Sequence, residues 1–598
     1  MNRELIWLIA AVLLAASPVF ASEVLVETES FSKYGGWVHD SQFIENMGSP
    51  YLLAHGLGKP VADAKTEVAF PDDGTYFVWA RTKDWVPSHH PGRFKIVVGG
   101  SELATEFGAN SQDWNWQMGG TVDVKAGSVS IALKDLTGFD GRCDAVFFTT
   151  DAEMQPPNKS GDRMTAWRRK LLGQAMTPAP AGEFDLVVVG GGVAGCCTAM
   201  TASQLGLHVA LIQERPVLGG NSSKELRIRA AGPKRPFVKR VKKELRKDKP
   251  FEAEKNLKLF LNMHAYGVEK KGSRITAVNA QHMVTGQRLR FTAPLFVDCT
   301  GDGWIGYWAG AEYRQGREGY EEFGESRAPN KPDRRTHGNS LFFRTEKSTK
   351  TESFFEVPWA TEIAKDNAKL KGNGRGSYHR WEYGQGLDTL KEAERIRDHL
   401  LRAIYGSFSN AKTMYPEKNA NLKLEIVSHI MARGESRRII GDYIINEHDQ
   451  ERPRLFHDAV ATSRRGFFCL HYIQEKYDFL GGADRPEWET AGRKLTGIDP
   501  TLGWLKEEIP TGRVEATVPF RSLYSRNIEN LMMAGRCVSA THVAAMNIKL
   551  QNIGGQMGVA TGTAAALCKQ HGISPRDIYQ ERLAELQEAI NRLMDAKQ

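Results

Sequence analysis

The stretch from Glu183 to Glu214, EFDLVVVGGGVAGCCTAMTASQLGLHVALIQE, constrains the fold more than any other part of the chain. An apolar run, Leu186 to Val189, leads into Gly190, Gly192 and Gly195, and a helix-compatible segment, Val193 to Leu205, follows. This G-x-G-x-x-G spacing between a strand and a helix is the one that dinucleotides require. Gly190 allows the tight turn, Gly192 lets the backbone approach a pyrophosphate, and Gly195 lets the helix lie close on the strand. The pyrophosphate is then expected on the unpaired N–H groups of the helix N-terminus, where the helix dipole favours negative charge. A second strand, His208 to Ile212, ends at Glu214, about 24 residues past Gly190. A carboxylate there is placed to accept hydrogen bonds from ribose hydroxyls.

A chain of 598 residues with 41% apolar content has room for roughly two to four domains with buried cores. The net charge of +8 is mild over this length. Its one dense basic run, Lys234 to Lys249, is interrupted by Phe237, Val238, Val241 and Leu245 at near-helical spacing. That pattern predicts a solvated helix face rather than a nucleic-acid contact, since no nucleic-acid module accompanies it. The N-terminus has Arg3, an apolar run from Leu5 to Ala16, and the small-residue site Val19-Phe20-Ala21. This predicts a signal peptide over residues 1–21, too short to span a bilayer, and hence an exported protein, periplasmic or extracellular, with no stable membrane insertion. The seven cysteines form no disulfide framework and no C-x-x-C pattern, so no metal site is expected.

Residues 22–151 carry short alternating runs, TYFVWART, FKIVV and SVSIAL, separated by turn residues, which predicts an all-β sandwich. Trp79 falls within a strand and reads as core, whereas Trp85, Trp114 and Trp116 fall in turn-rich stretches and are candidates for a binding surface. GTYFVWARTKDW and KDLTGFDGRCDAVFFT resemble the carbohydrate-binding-like modules of secreted polysaccharide-processing proteins. Residues 152–182, with Pro156-Pro157, Pro178 and Pro180, read as a linker containing one short helix near Arg163 to Leu172. The nucleotide domain follows, as residues 183–309 and 519–570. It contains the glycine loop Arg215 to Ser223, a β-rich stretch ending in Phe296 to Gly303 (FVDCTGDG), and a closing strand, Leu531 to Ala534, before Gly535-Arg536. A glycine-rich helix start, Gly554 to Gly558, follows. Residues 310–518 read as an inserted α+β substrate domain, with helices expected at Ala393 to Tyr405 and Glu425 to Asn446. Residues 571–598 read as a C-terminal helix capped by Ser574 with Pro575 at its first position.

Together VVVGGGVAG, LGGNSS, FVDCTGDG, ARGESRRIIGDYIINEHD and TVPFRSLYSRNIENLMMAGRCVSATHVAA resemble the secreted bacterial FAD-dependent oxidoreductases, a family met beside polysaccharide-lyase proteins and sometimes labelled xanthan-lyase-related. LGGNSS is also similar to the flavin loop of fumarate reductase and succinate dehydrogenase flavoproteins. The resemblance implies a two-part, Rossmann-like FAD-binding domain of the glutathione-reductase type, with FAD as cofactor. It places Gly190, Gly192 and Gly195 at the pyrophosphate, Glu214 with its neighbour Arg215 at the ribose, and Ala265 near the adenine. Gly220, Asn221 and Ser222 would lie near the flavin, with Gln556 in the glycine-rich helix start beside it. Asp302, Gly535 and Arg536 would surround the ribityl-phosphate region.

An oxidoreductase of this kind needs a substrate C–H aimed at flavin N5 and a base for the hydroxyl proton. Histidine suits that base, and His542 in SATHVAA and His337 in RRTHGNSLFF are the candidates. Arg433, Glu435, Arg437 and Arg438 form a dense charged cluster. It reads equally as a buried ion network or as a clamp, through Arg433 or Arg437, on an anionic or hydroxyl-rich substrate. The expected activity is oxidation of a carbohydrate, polyol or sugar acid, from a small molecule or glycan, with electrons passed to an unidentified acceptor. The alternatives are a carbohydrate-binding protein with a non-catalytic flavin fold and a fumarate-type reductase.

Overall fold

A computed structural model describes residues 21–370, 381–451, 455–464 and 515–595. The signal peptide expected over residues 1–21 lies, but for Ala21, outside the described residues, as do stretches of the expected insert.

The N-terminal part forms two facing antiparallel sheets. One has six strands, ordered Val38–Asp40, Tyr51–Ala54, Gly141–Thr149, Gly74–Thr82, Asn115–Val124, with Glu23–Glu27 added along Gly141–Thr149. The other has four, ordered Ala64–Phe70, Gly127–Asp135, Phe94–Val98, Ser101–Glu102. Alternation decides which residues face inward: in Phe94–Val98, Phe94, Ile96 and Val98 are buried while Lys95 and Val97 are not. Every residue of Gly141–Thr149 is buried, because this strand is covered on both faces.

What covers its second face corrects the reading of the tryptophans. Trp85 is buried edge-on against Trp359, and its indole N–H donates to Phe139 O at 3.0 Å. Trp114 packs on Tyr51 and donates to Glu394. Trp116 is buried against Trp167 and Phe147. None of the three offers a free aromatic surface. Trp85 and Trp114 lie in turns that abut the rest of the chain, and Trp116 lies inside the strand Asn115–Val124, corrected from the turn-rich stretch read from sequence.

The segment between sandwich and nucleotide domain is built into both. Its helix, Asp162–Leu171, sends Arg168 to Asp144 of the sandwich, and its strand, Ala179–Glu183, pairs in parallel with Arg288–Thr292. Next comes a five-stranded parallel sheet in the order Leu257–Phe260, Val209–Ile212, Leu186–Val189, Leu295–Asp298, Leu531–Met533. Numbered along the chain, this is the doubly wound order 3-2-1-4-5, which leaves a crevice at the carboxyl ends of the first and fourth strands. A second, four-stranded sheet contains Met263–Lys271, Arg274–His282 and Arg288–Thr292. The basic run forms the helix Pro236–Glu244 with Phe237, Val238 and Val241 buried.

The nucleotide helix Val193–Gln204 packs on the helix Gln551–His571 through glycines. A Cβ on Gly558 would lie 2.2 Å from Ala194 O, and one on Gly562 would lie 2.6 Å from Thr198 O. The glycine-rich run Gly554 to Gly558, read as a helix start, is therefore largely a helix–helix contact inside a helix that begins at Gln551. Beyond it, Ser574 caps Pro575–Glu581 in a reciprocal capping box with Asp577, and Leu583–Asp595 completes the tail.

In the insert the long helix runs over Ala393–Met414, as expected and further. The expected helix at Glu425 to Asn446 is absent. Leu422–Val427 is a strand antiparallel to Phe343–Lys347, and Arg438–Ile439 bridges to Tyr313–Arg314. In between, Ala432 forms an antiparallel bridge to Ser340, and a Cβ on Gly434 would lie 2.1 and 2.0 Å from the His337 and Gly338 backbone oxygens, so the chain runs alongside that segment instead of coiling. The apolar residues at a spacing of three and four serve separate contacts: Ile426 and Ile430 pack against Leu226, Phe342 and Ala432, while Ile439 packs beneath Gly303 and Gly306. No helix among the described residues is long and apolar enough to cross a membrane.

Candidate cofactor and active site

A cleft of about 1430 Å³, its open mouth included, lies at the carboxyl ends of the parallel strands. Val189, Gly190 and Gly192 line it from the first strand and its turn, Gln213 to Arg215 from the end of the second, and Cys299 to Asp302 from the fourth. The loop residues Gly219 to Asn221, Ala534 to Arg536, His264 and Ala265, and Arg433 complete most of the wall.

The three motif glycines divide their tasks as their geometry dictates. Gly190 has φ +104°, and a Cβ there would meet Cys299 O at 2.2 Å. A Cβ on Gly195 would meet Gly190 O at 1.9 Å, so Gly195 sets helix-on-strand contact and does not line the cleft. Gly192 has no atom within 4 Å of its would-be Cβ, so the missing side chain leaves open cleft at the N-terminus of the nucleotide helix. The residues present therefore fit a dinucleotide: a bare backbone and a helix N-terminus at its centre, and a carboxylate, Glu214, at one end.

The Glu214 carboxylate is half exposed toward the open cleft; crowding by the cleft walls would raise its pKa, but His264, Arg215 and Arg433 hold it below the ordinary range. His264 Nδ1 lies 3.7 Å from Glu214, and its Nε2 lies 2.9 Å from Glu45. Burial would lower the His264 imidazole, yet the two carboxylates raise it to about 9. Arg215 pairs with Glu225 at 2.7 Å.

Toward the centre, Arg536 is locked by three bonds. Its Nε donates to Gly301 O (3.0 Å), Nη1 to Arg433 O (2.6 Å) and Nη2 to Asp302 (2.6 Å). An arginine after Gly535 thus ties the fourth and fifth strands together where the cleft passes between them. Asn221 Nδ2 donates to the same Arg433 carbonyl at 3.3 Å. Ser222 does not line the cleft: its hydroxyl is bonded to Ile228 O and Gln551. Gln556 does not line it either. Buried one turn too far along its helix, it exchanges hydrogen bonds with the Thr462 backbone.

The charged cluster splits. Arg433 reaches the cleft, with Nη2 donating to Gln42 O at 2.7 Å. Arg437 turns away, its guanidinium 3.9 Å from the centre of the Tyr307 ring and 4.2 Å from that of Trp304. The desolvated cation is held by ring faces, so Arg437 is not a substrate clamp. Arg438 is fully buried, pairing with Glu318 at 2.8 Å and with Glu435. Burial would raise the Glu435 carboxyl, but His542 and Arg438 hold it down to about 2. His542 is part of this buried network, with Nδ1 2.6 Å from Glu435, and His337 lies 3.5 Å from Glu382. Neither histidine lines the cleft.

Polar lining residues that sequence reasoning missed include Gln42, Glu45, His264, Lys549 and Gln551. His264 adjoins Ala265, and Lys549 and Gln551 flank the start of a glycine-rich helix, so a local signal existed for these three. Gln42 and Glu45 come from the sandwich, far off in sequence, and nothing local marks them. Among the described residues, the one acidic cluster tight enough for a metal ion is Glu27, Glu29 and Asp144, into which Arg81 and Arg168 already project toward Asp144 at 2.7 and 2.5 Å.

Comparison with known proteins places the chain. A stretch of 133 residues is 28% identical to mitochondrial glycerol-3-phosphate dehydrogenase of Mus musculus, covering 22% of this chain and 14% of that protein. The match thus spans about a seventh of that relative's length. A geranylgeranyl bacteriochlorophyll reductase-like protein from Thermoplasma acidophilum is similar over 69% of this chain and 88% of its own, at 11% identity and a TM-score of 0.29. A family 35 carbohydrate binding module from Clostridium thermocellum is similar over 21% of this chain and 97% of its own, at 18% identity and a TM-score of 0.18. The model of the family described as FAD dependent oxidoreductase matches residues 185–250 and 237–590, well over half of the sequence, and the chain belongs to that family.

Proposed function

We propose that this FAD-dependent oxidoreductase is exported and oxidises a hydroxyl-bearing C–H of a carbohydrate, polyol or sugar acid. FAD, when bound, supplies a two-electron acceptor at the flavin N5. With Glu214 and Ala265 at the adenosine end, the flavin is taken to lie toward the lining residues Gly220, Asn221 and Gly554, and Arg433, whose charge also acts on Glu214, stands between the two ends. The observation that carries the substrate class is the polar lining of the cleft. Asn221, Arg433, Lys549 and Gln551 put two cations and two amides into the wall of the cleft. Such a lining binds oxygen-rich substrates, with the arginine suited to a carboxylate or paired hydroxyls. His542 stands behind this wall: it begins the helix His542–Ile548 that leads to Lys549, a helix capped by the Thr541 hydroxyl, and it pairs with Glu435.

Anaerobic mixing of holo-enzyme with sugars, uronic acids, sugar acids and polyols, followed by flavin absorbance at its visible bands, tests this reading. Bleaching by at least one member of the panel is expected; no bleaching by any sugar-derived substrate removes the substrate class. The two cations also suit a dicarboxylate, which favours fumarate reduction as the second reading, and reoxidation of reduced enzyme by fumarate is its test. A carbohydrate-binding role for the sandwich has lost the three tryptophans that suggested it. For export, the expected mature N-terminus is Ser22, read by sequencing protein from the periplasm or medium of its native host.

A further inference from the structure

The sandwich reaches the cofactor cleft at one place, the segment from Gln42 to Asn46. That segment is fastened to the rest of the chain at both ends. Gln42 Oε1 accepts from Met431 N–H at 2.7 Å, its Nε2 donates to His429 O at 3.0 Å, and its carbonyl accepts from Arg433 at 2.7 Å. Asn46 Nδ2 donates to Leu390 O and Lys391 O at 3.2 and 3.0 Å. Between these anchors the turn Ile44–Met47 presents Glu45 to His264.

Glu214 stands at the strand end that faces a ribose, and its side chain is half exposed there. A carboxylate so placed must be aimed to accept from a ribose diol rather than turn to water, since hydrogen bonding to ribose depends on direction. His264 is its neighbour on one side, and Glu45 is the group that fixes the His264 ring on the other.

We propose that Glu45 and His264 are positioning residues for the adenosine half of the cofactor, acting through Glu214, so that the sandwich is a built-in wall of the nucleotide site. Docking of the sandwich and binding of the nucleotide then reinforce each other, because the same segment serves both. The proposal rests on the placement of the ribose at Glu214.

Calorimetric titration of FAD-stripped full-length protein with ADP and with FAD, on the variants Glu45→Gln, His264→Gln, Glu45→Asp, Glu214→Gln and the double variant Glu45→Gln/Glu214→Gln, decides it. E45Q and H264Q are expected to weaken ADP and FAD binding about tenfold, with E45D recovering most of the loss. The double variant is expected to bind no worse than E214Q, since Glu45 works through Glu214. A loss that merely followed destabilisation would not vanish in the E214Q background. ADP affinity unchanged in E45Q while E214Q weakens it, or full additivity of the two losses, overturns the role of Glu45. ADP affinity unchanged in E214Q overturns the ribose placement and the proposal with it.

Discussion

Arg397, in the long helix of the insert, places its Nη1 2.7 Å from the carboxylate of Asp40 in the sandwich, and both side chains are fully buried. Its other N–H groups donate to Tyr51 Oη at 2.9 Å and Asp398 at 3.0 Å. Beside it, Arg142 pairs with Asp398 and Glu394, and one apolar core runs from Phe43, Trp85 and Phe139 into Trp359, Leu400 and Tyr405. Sandwich and insert thus share an interior. Arg397→Ala would leave Asp40 buried without its guanidinium, which costs roughly 3–5 kcal/mol. Thermal unfolding of the variant should show one transition at lower temperature, with sandwich and insert melting together.

Trp85→Ala removes a ring from that shared core and is expected to destabilise by roughly 3–5 kcal/mol. Migration in affinity gels containing polysaccharide should be the same as wild type at temperatures where both are folded. A specific loss of glycan retardation without destabilisation would show that Trp85 is a binding residue after all.

Gly192 and Gly195 make opposite predictions. Gly195→Ala drives a Cβ into the Gly190 carbonyl, a backbone atom that cannot move aside, and should destabilise the apo protein by about 3 kcal/mol. Gly192→Ala places its methyl in open cleft at an ordinary φ of −69°, so the apo melting temperature should be nearly unchanged. FAD affinity should nevertheless fall by at least about tenfold, measured by flavin fluorescence.

Glu325 gives a pH signature. Burial and the charges of Glu318 and Glu447 outweigh its bonds from Thr541 and the Glu447 N–H, raising it to about 7. An acid raised in the folded state is no burden while it stays protonated, below its unfolded value near 4.5. Its penalty grows as pH rises from there and levels off above about 7. Glu325→Gln keeps an acceptor for Thr541 and should therefore be about 2 kcal/mol more stable than wild type at pH 8, with the difference shrinking toward pH 5. Denaturant melts across that range measure the gap; a gap that widens toward acid would contradict the assignment.

The local arrangement of the nucleotide turn was legible in the sequence because it depends on neighbours a few positions apart. The glycine spacing, the Leu186 to Val189 strand, the Glu214 terminus and the Ser574 cap all follow from backbone geometry and short-range hydrogen bonding. So did the alternation in the sandwich strands, since a two-sheet core enforces it. The segment Glu425 to Asn446 misled because apolar residues at helical spacing there serve two different cores, and only the chain's path past Gly434 separates them.

What the sequence by itself determined is the strand, glycine turn, helix and second strand from Leu186 to Ile212, since that order is written within about 30 residues. Only the tertiary structure decided which charged groups reach the cleft. Arg433 and Arg437 lie one helical turn apart in sequence and look interchangeable, but one faces the cleft and the other is held under aromatic rings. The wall supplied by Gln42 and Glu45 is likewise a product of docking. Its contacts join residues more than 200 positions apart, and no local propensity records a surface that exists only once two parts of the chain have packed.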